Sequence, residues 1–349
     1  MINITPIRRR ILRVLAGRIK TYQEVSDKRW ILCPSESSLS PPAIYLDGEP
    51  HKVTAVPEST RYEFEMERIR GIRREHAATI AYRIRDAQIL DGYLYKGAMK
   101  YPLVNTKESL FGSSVTDYLP KAALACTWCG NRFFSHWMTD DLTLTLAAQQ
   151  LAEVIAVARK PYSHEPEYRR LFGIQAPTVT RVQCGELIMI DDFGQNRFKR
   201  ERYEFLRSRL KVLEPLHKSQ GIMIRRGTLG VPRILTNEAE IERFLETQGF
   251  TIIDPDSLSA TELVRQTLGA NVIVGIEGSH IVHGLFSMAD NGTLCILQPP
   301  YRFNNVFKDY TDCLGMGYAF VVGKDVPNGF MIEVEDLART LNKIETLSI

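Results

Sequence analysis

The second half of the chain alternates two kinds of segment, and this constrains the fold more than any other feature. Short apolar runs at 222–224, 250–253, 271–275, 293–297 and 318–322 are separated or followed by helix-length amphipathic stretches at 237–248, 259–268, 280–289, 304–314 and 334–347. Parallel neighbours in a sheet need a crossover, and the crossover helices cover both faces, so the strands read as continuous apolar runs. The pattern therefore predicts five parallel strands in a Rossmann-like α/β domain. Local punctuation agrees. Thr236 or Asn237 can cap one helix and Ser257 or Ser259 the next, while Gly249 and Gly269 fall where a left-handed residue ends a helix.

At 349 residues the chain exceeds the usual reach of one hydrophobic core, which predicts two domains. The first half is less regular. Strands are expected at 30–33, 79–82, 87–90, 179–182 and 187–190, with helices near 136–156 and 165–172. The charge-dense stretch 58–75 reads as a helix or a solvated excursion. A partition follows: a basic amphipathic segment 1–24, a mixed α/β domain 25–200, a charged helical linker 201–218, a Rossmann-like domain 219–330 and a C-terminal helix 331–349.

Composition serves mainly to exclude. Apolar residues at 44% and charged residues at 24% describe an ordinary globular chain, and a net charge of +3 argues against a nucleic-acid partner. No run approaches the roughly 20 apolar residues of a membrane-spanning helix. Basic character is local instead. Residues 7–20 place Ile7, Ile11, Leu15 and Ile19 four apart, among Arg8, Arg9, Arg10, Arg13, Arg18 and Lys20, with no acid before Glu24. Such a helix can lie on an anionic cytoplasmic membrane face or pack on its own domain; the spacing suits either. The cysteines read as reduced thiols of a cytosolic protein, and Cys126 and Cys129 as packing residues rather than a redox pair.

Ligands of open α/β sheets bind outside the carboxyl ends of the strands. Three such ends are unusual here: Arg225 and Arg226, followed by Arg233; the run Gly275-Ile-Glu277-Gly278-Ser279-His280, followed by His283; and Gln298-Pro-Pro-Tyr-Arg302. Guanidinium forks and turn amides together suit a diphosphate, whereas singly they suit surface ion pairs and a tight turn. Neither the GxGxxG nor the GxxxxGK[ST] pattern occurs at these ends, which removes the main support for a nicotinamide-dependent oxidoreductase or a P-loop enzyme.

In this order, Ile224-Arg-Arg226 with Arg233 to Glu238, the 249–258 segment, and Gly275 to His283 resemble glycosyltransferase family 61, the capsular polysaccharide biosynthesis type. A second block, Asn131-Arg-Phe-Phe-Ser-His136-Trp137-Met-Thr-Asp140, is similar to the family's Asn, His-Trp, Asp signature. The chain departs from the family where many members have Gly-x-His-Gly-Ala-Gly, since Glu277 and Ser279 stand in that motif. The resemblance implies a GT-B architecture, two Rossmann-like domains facing across a cleft. The acceptor side would be 25–200, and 219–330 would hold a nucleotide-sugar donor for transfer with inversion to a polysaccharide or lipid-linked oligosaccharide. It implies donor contacts from Arg225, Arg226, Arg233, Asn237, Glu277, Gly278, Ser279, His280 and His283, and acceptor contacts from Asn131 and Trp137.

Residues four apart share a helix face, so Asp140 can serve as the base that takes the acceptor hydroxyl proton while His136 positions it; the swapped roles stay open. His136 and Trp137 can equally be core residues, and Asp141 a surface acid. Arginines and amides would stabilise the leaving diphosphate without a metal, so no cofactor is expected. Glu277 should turn toward ribose hydroxyls or His280, and Asp254-Pro-Asp256 should cap the next helix through Asp256 or Ser257. The expected location is the cytoplasm, peripheral to the inner membrane face. A non-catalytic glycan- or nucleotide-sugar-binding scaffold and an NAD(P)-dependent oxidoreductase are the alternative readings, and oligomeric state is left open.

Overall fold

The computed structural model describes residues 3–109, 114–216, 220–227 and 230–347. Two compact units emerge: 1–36 with 76–202, and 37–75 with 203–349. Segment 37–75 thus leaves the stretch that the sequence reading assigns to one domain. The charged linker resolves into α3 (Arg197–Leu210) and a non-helical stretch, and the boundary between units falls within α3. Positions 217 and 218 of the expected linker lie outside the described residues, as do 348 and 349 of the C-terminal helix.

Among its described residues the first unit has α1 (Thr5–Ala16) and eight strands: β1 (Lys28–Cys33), β2 (Thr79–Leu90), β3 (Tyr93–Lys96), β4 (Met99–Pro102), β5 (Asp117–Leu124), β6 (Glu153–Val157), β7 (Thr178–Val179) and β8 (Arg181–Asp191). They form a mixed sheet in the order β4-β3-β2-β8-β5-β6-β7, with β1 paired to β2. The four strands β8, β5, β6 and β7 run parallel and the rest antiparallel. This is α/β, but not the wholly parallel sheet of the second unit.

The strands expected at 79–82 and 87–90 are one strand, β2, which tolerates a left-handed Asp86 at φ 49°. The expected helix 136–156 ends at Gln149, and the β-branched run that follows becomes β6. β5 escapes the sequence reading because Pro120 sits inside it. α2 (Glu165–Phe172) appears as expected, closed by Gly173 at φ 69°.

The second unit holds β9 (Gly221–Ile224), β10 (Phe250–Ile253), β11 (Val272–Ile276), β12 (Thr293–Gln298) and β13 (Gly317–Val322), all parallel, in the order β10-β9-β11-β12-β13. Helices α4 (Glu238–Thr247), α5 (Ala260–Thr267), α6 (Val306–Leu314) and α7 (Val334–Leu347) complete the pattern. Met223, Val274, Cys295, Val321 and Phe330 belong to one of its buried clusters. α5 starts on a reciprocal capping box between Ser259 and Glu262, so neither Asp256 nor Ser257 is its cap. The helix expected at 280–289 is only Ser279–Ile281 followed by Val282–Leu285.

Segment 37–75 is stitched into this unit. Ile44 bridges Ala319 on β13, Tyr45 stacks on Phe320 at 4.8 Å, and Glu65 accepts a 2.6 Å hydrogen bond from the Asn305 amide. Part of the charge-dense stretch 58–75 is the helix Tyr62–Ile69.

Candidate functional site

In the second unit the strand order reverses at β9 and β11, because β10 lies on one side of β9 and all later strands on the other. Such a switch point opens a crevice outside the carboxyl ends of the two strands. Arg226 follows β9 there, and Glu277 and Gly278 follow β11. Arg226 Nη1 donates to the Glu277 carbonyl at 3.1 Å. Arg233 Nε lies 2.7 Å from Glu277 Oε2, and Arg302 Nε lies 3.4 Å from the same oxygen. Glu277 therefore faces two arginines rather than His280 or open solvent.

Neither contact to that oxygen is aligned as a hydrogen bond. Arg233 Nε, Arg302 Nε, Glu277 Oε2 and His280 Nε2 are buried polar atoms without a hydrogen-bond partner among the described residues. Two guanidinium groups face the one carboxylate and a third bonds the backbone carbonyl of the same residue, so the crevice carries surplus positive charge. Burial and then the neighbouring Arg233 push Arg226 down to about 10. Burial, then Arg226, His283 and Arg233, hold His280 well below the usual imidazole range, so its ring is neutral at pH 7. Gly278 adopts φ 153° and ψ 170°, and a Cβ there would lie 1.8 Å from Arg226 Nη1. Only a residue without a side chain allows this backbone and this arginine together.

The other expected donor residues divide. Arg225 is turned onto α4, where its guanidinium meets both Glu242 oxygens at 2.5 and 2.7 Å, the surface ion pair of the plainer reading. Asn237 spends its amide on the Ile332 backbone at 2.8 and 3.2 Å. His283 is buried in the short helix after Gly278, and Ser279 opens the turn before it. Asp254 Oδ1 accepts from the Asp256 amide at 3.0 Å, closing the 254–256 segment on itself.

In the first unit the segment 134–149 is helical but contains a widened π turn, Trp137–Asp141, between Phe134–His136 and Leu142–Gln149. Threonine hydroxyls bond the carbonyls of the wider turn: Thr139 to Ser135 at 3.0 Å, Thr143 to Thr139 and Asp140 at 2.9 Å each, and Thr145 to Asp141 at 2.7 Å. His136 Nδ1 lies 2.7 Å from Asp140 Oδ2, as the spacing of four predicts.

Asp140 Oδ1 accepts from the buried Lys199 ammonium at 3.0 Å. Lys199 also donates to the Asp192 carbonyl at 2.9 Å, and Arg202 clamps the Asp192 carboxylate at 2.7 and 2.8 Å. Burial alone would raise Asp140, but Lys199 and His136 outweigh it and hold the acid at about 2. Asp141 does the opposite: burial drives it well above the carboxylate range. It is no surface acid, for its Oδ1 accepts from the Thr127 amide and hydroxyl at 3.0 and 2.9 Å beneath Gly130, where a Cβ would clash at 2.2 Å.

Trp137 is 1% exposed, stacked against Phe134 at 5.8 Å under Arg169, so the ring proposed for the acceptor lies in the core. Asn131 is locked between the Leu103 carbonyl at 2.8 Å and Arg159 at 2.9 Å. Cys126 packs against Val157, and burial pushes its thiol up to about 12, which suits packing rather than thiolate chemistry.

Sequence reasoning missed Lys199, Asp192 and Arg202, though a signal existed. Lys199 and Arg202 are three apart on a charged helix, just after paired acids at the end of β8. Arg302 lay within a strand end singled out from sequence but carried no role there. Residues 134–296 match the family model described as Glycosyltransferase 61. No curated protein matches the chain.

Proposed function

We propose, from the match of residues 134–296 to the glycosyltransferase 61 family model, that the chain is an inverting transferase moving a sugar from a nucleotide-sugar donor to a polysaccharide or lipid-linked oligosaccharide of a surface polysaccharide. The observation that carries the donor assignment is the crevice of the second unit. There Arg226, Arg233 and Arg302 gather about Glu277, and the buried Nε atoms of Arg233 and Arg302 have no hydrogen-bond acceptor among the described residues. A diphosphate supplies what that arrangement lacks, negative charge and acceptor oxygens. The guanidinium groups would then stabilise charge developing on the leaving nucleoside diphosphate.

The first unit supplies the acid–base pair. A carboxylate held near 2 is a weak proton acceptor at neutral pH, which favours His136 as base over Asp140. With His136 Nδ1–H donating to Asp140, Nε2 is the nitrogen that takes the acceptor hydroxyl proton, and Asp140 orients the ring and stabilises its cation. In this reading the two units work as the halves of a GT-B enzyme, in the cytoplasm, peripheral to the inner face of the membrane.

The test is calorimetric titration with UDP, GDP, CMP and dTDP, followed by release of nucleotide from the matching sugars with a membrane acceptor extract. One nucleotide should bind and its sugar should turn over, and His136→Gln should abolish turnover while leaving that binding intact. Binding by none of them overturns the donor site. Binding without turnover in the native protein marks the scaffold reading.

A further inference from the structure

An amphipathic helix that packs on its own domain normally turns its apolar face inward. α1 does the reverse. Its inward side is polar: Thr5 donates to Gln88 at 2.7 Å, and Arg9 reaches both oxygens of Glu108 at 3.2 Å. Arg10 and Lys100 join the same carboxylate at 3.3 and 3.0 Å, and the Tyr95 hydroxyl donates to it at 3.0 Å. The helix rests on β3 and β4, with Pro6 and Arg9 buried.

The clamp leaves the apolar side bare. Ile11 is 57% exposed, Val14 80% and Leu15 78%, and Ile4 extends the same side just before the helix. Arg8 is exposed on this same side, Arg13 and Lys20 are exposed elsewhere in the segment, and no acid occurs before Glu24. An apolar ridge edged by cations is unfavourable in water and matches the interface of an anionic bilayer, where chains receive the apolar groups and phosphates face the cations. At about 1.5 Å per residue the helix is long enough to lie along a bilayer surface and too short to cross one.

We infer that α1 is a membrane-docking surface, held to the first unit by the Arg9–Glu108 clamp and inserting Ile4, Ile11, Val14 and Leu15 into an anionic lipid surface. This rests on the peripheral location proposed above and names the residues that achieve it. It does not depend on transfer chemistry.

The experiment is co-sedimentation of the full chain with phosphatidylcholine vesicles and with vesicles containing phosphatidylglycerol, at low and high salt. The protein should pellet with the anionic vesicles, bind neutral ones weakly and be released by salt. The double variant Val14→Asp, Leu15→Asp should lose about tenfold or more in vesicle binding. Both positions are exposed, so its melting temperature and nucleotide titration should match those of the native protein. Equal pelleting of variant and native protein, or pelleting of neither, overturns the inference. So does a native dimer in sedimentation velocity that the double variant abolishes, because the ridge would then be a self-association surface. Vesicle binding by a chain that binds no nucleotide would sink the donor assignment alone.

Discussion

Asp140 gives one carboxylate oxygen to an imidazole and the other to a buried ammonium, so its charge is coupled to the fold. The acid sits at about 2 in the folded chain against about 3.9 when unfolded, so its contribution is complete above the unfolded value and is lost as pH falls toward 2. Asp140→Asn should cost about 3 kcal/mol at neutral pH, because Lys199 is left buried with a partner missing. Urea melts should show the gap from the native protein narrowing between about pH 4 and 2; a constant gap would refute the coupling. Lys199→Met should move the Asp140 midpoint upward, read by carboxylate NMR. His280 acts in the same direction over a higher pH range. Neutral in the fold, it takes up a proton on unfolding below about 6.5, so it subtracts stability as pH falls through that value. Melts at pH 7 and pH 5 should show that His280→Asn removes this component.

Elements succeed here through local geometry that single substitutions can probe. Gly278 follows β11 in a conformation closed to side chains, so Gly278→Ala should cost about 1–3 kcal/mol in backbone strain. It should also weaken nucleotide binding, since the new methyl occupies the space of Arg226 Nη1. Thermal melts and titration separate the two effects; unchanged binding would remove Arg226 from the donor site. Ser259→Ala breaks the capping box of α5 and should cost about 1 kcal/mol with nucleotide binding unaltered. The π turn at Trp137–Asp141 shows how a short irregularity sets chemistry. It keeps His136 and Asp140 in contact while sending Trp137 and Asp141 into the interior.

For the whole molecule, the chain's path matters as much as its elements. The second unit is completed by 37–75, whose Glu49 accepts from the Val322 amide and whose Ser40 bonds Asp312 at 2.5 Å and Lys308 at 3.0 Å. A fragment of 203–349 alone should therefore unfold without a cooperative transition, and fusing 37–75 to it should restore one, measured by circular dichroism. Cooperative melting of the shorter fragment would show the segment to be dispensable. The sequence by itself determined the five parallel strands of this unit, because strands buried on both faces appear as apolar runs, and it determined the capped start of α5, though the cap it offered α4 at Asn237 is not made. It also determined the His136–Asp140 contact, since a spacing of four suffices for it. Tertiary structure alone decided which unit 37–75 joins, that Arg225 pairs with Glu242 while Arg302 enters the crevice, and that Lys199 and Asp192 stand behind Asp140. Those outcomes depend on residues far apart along the chain meeting in space, and no local periodicity records such a meeting.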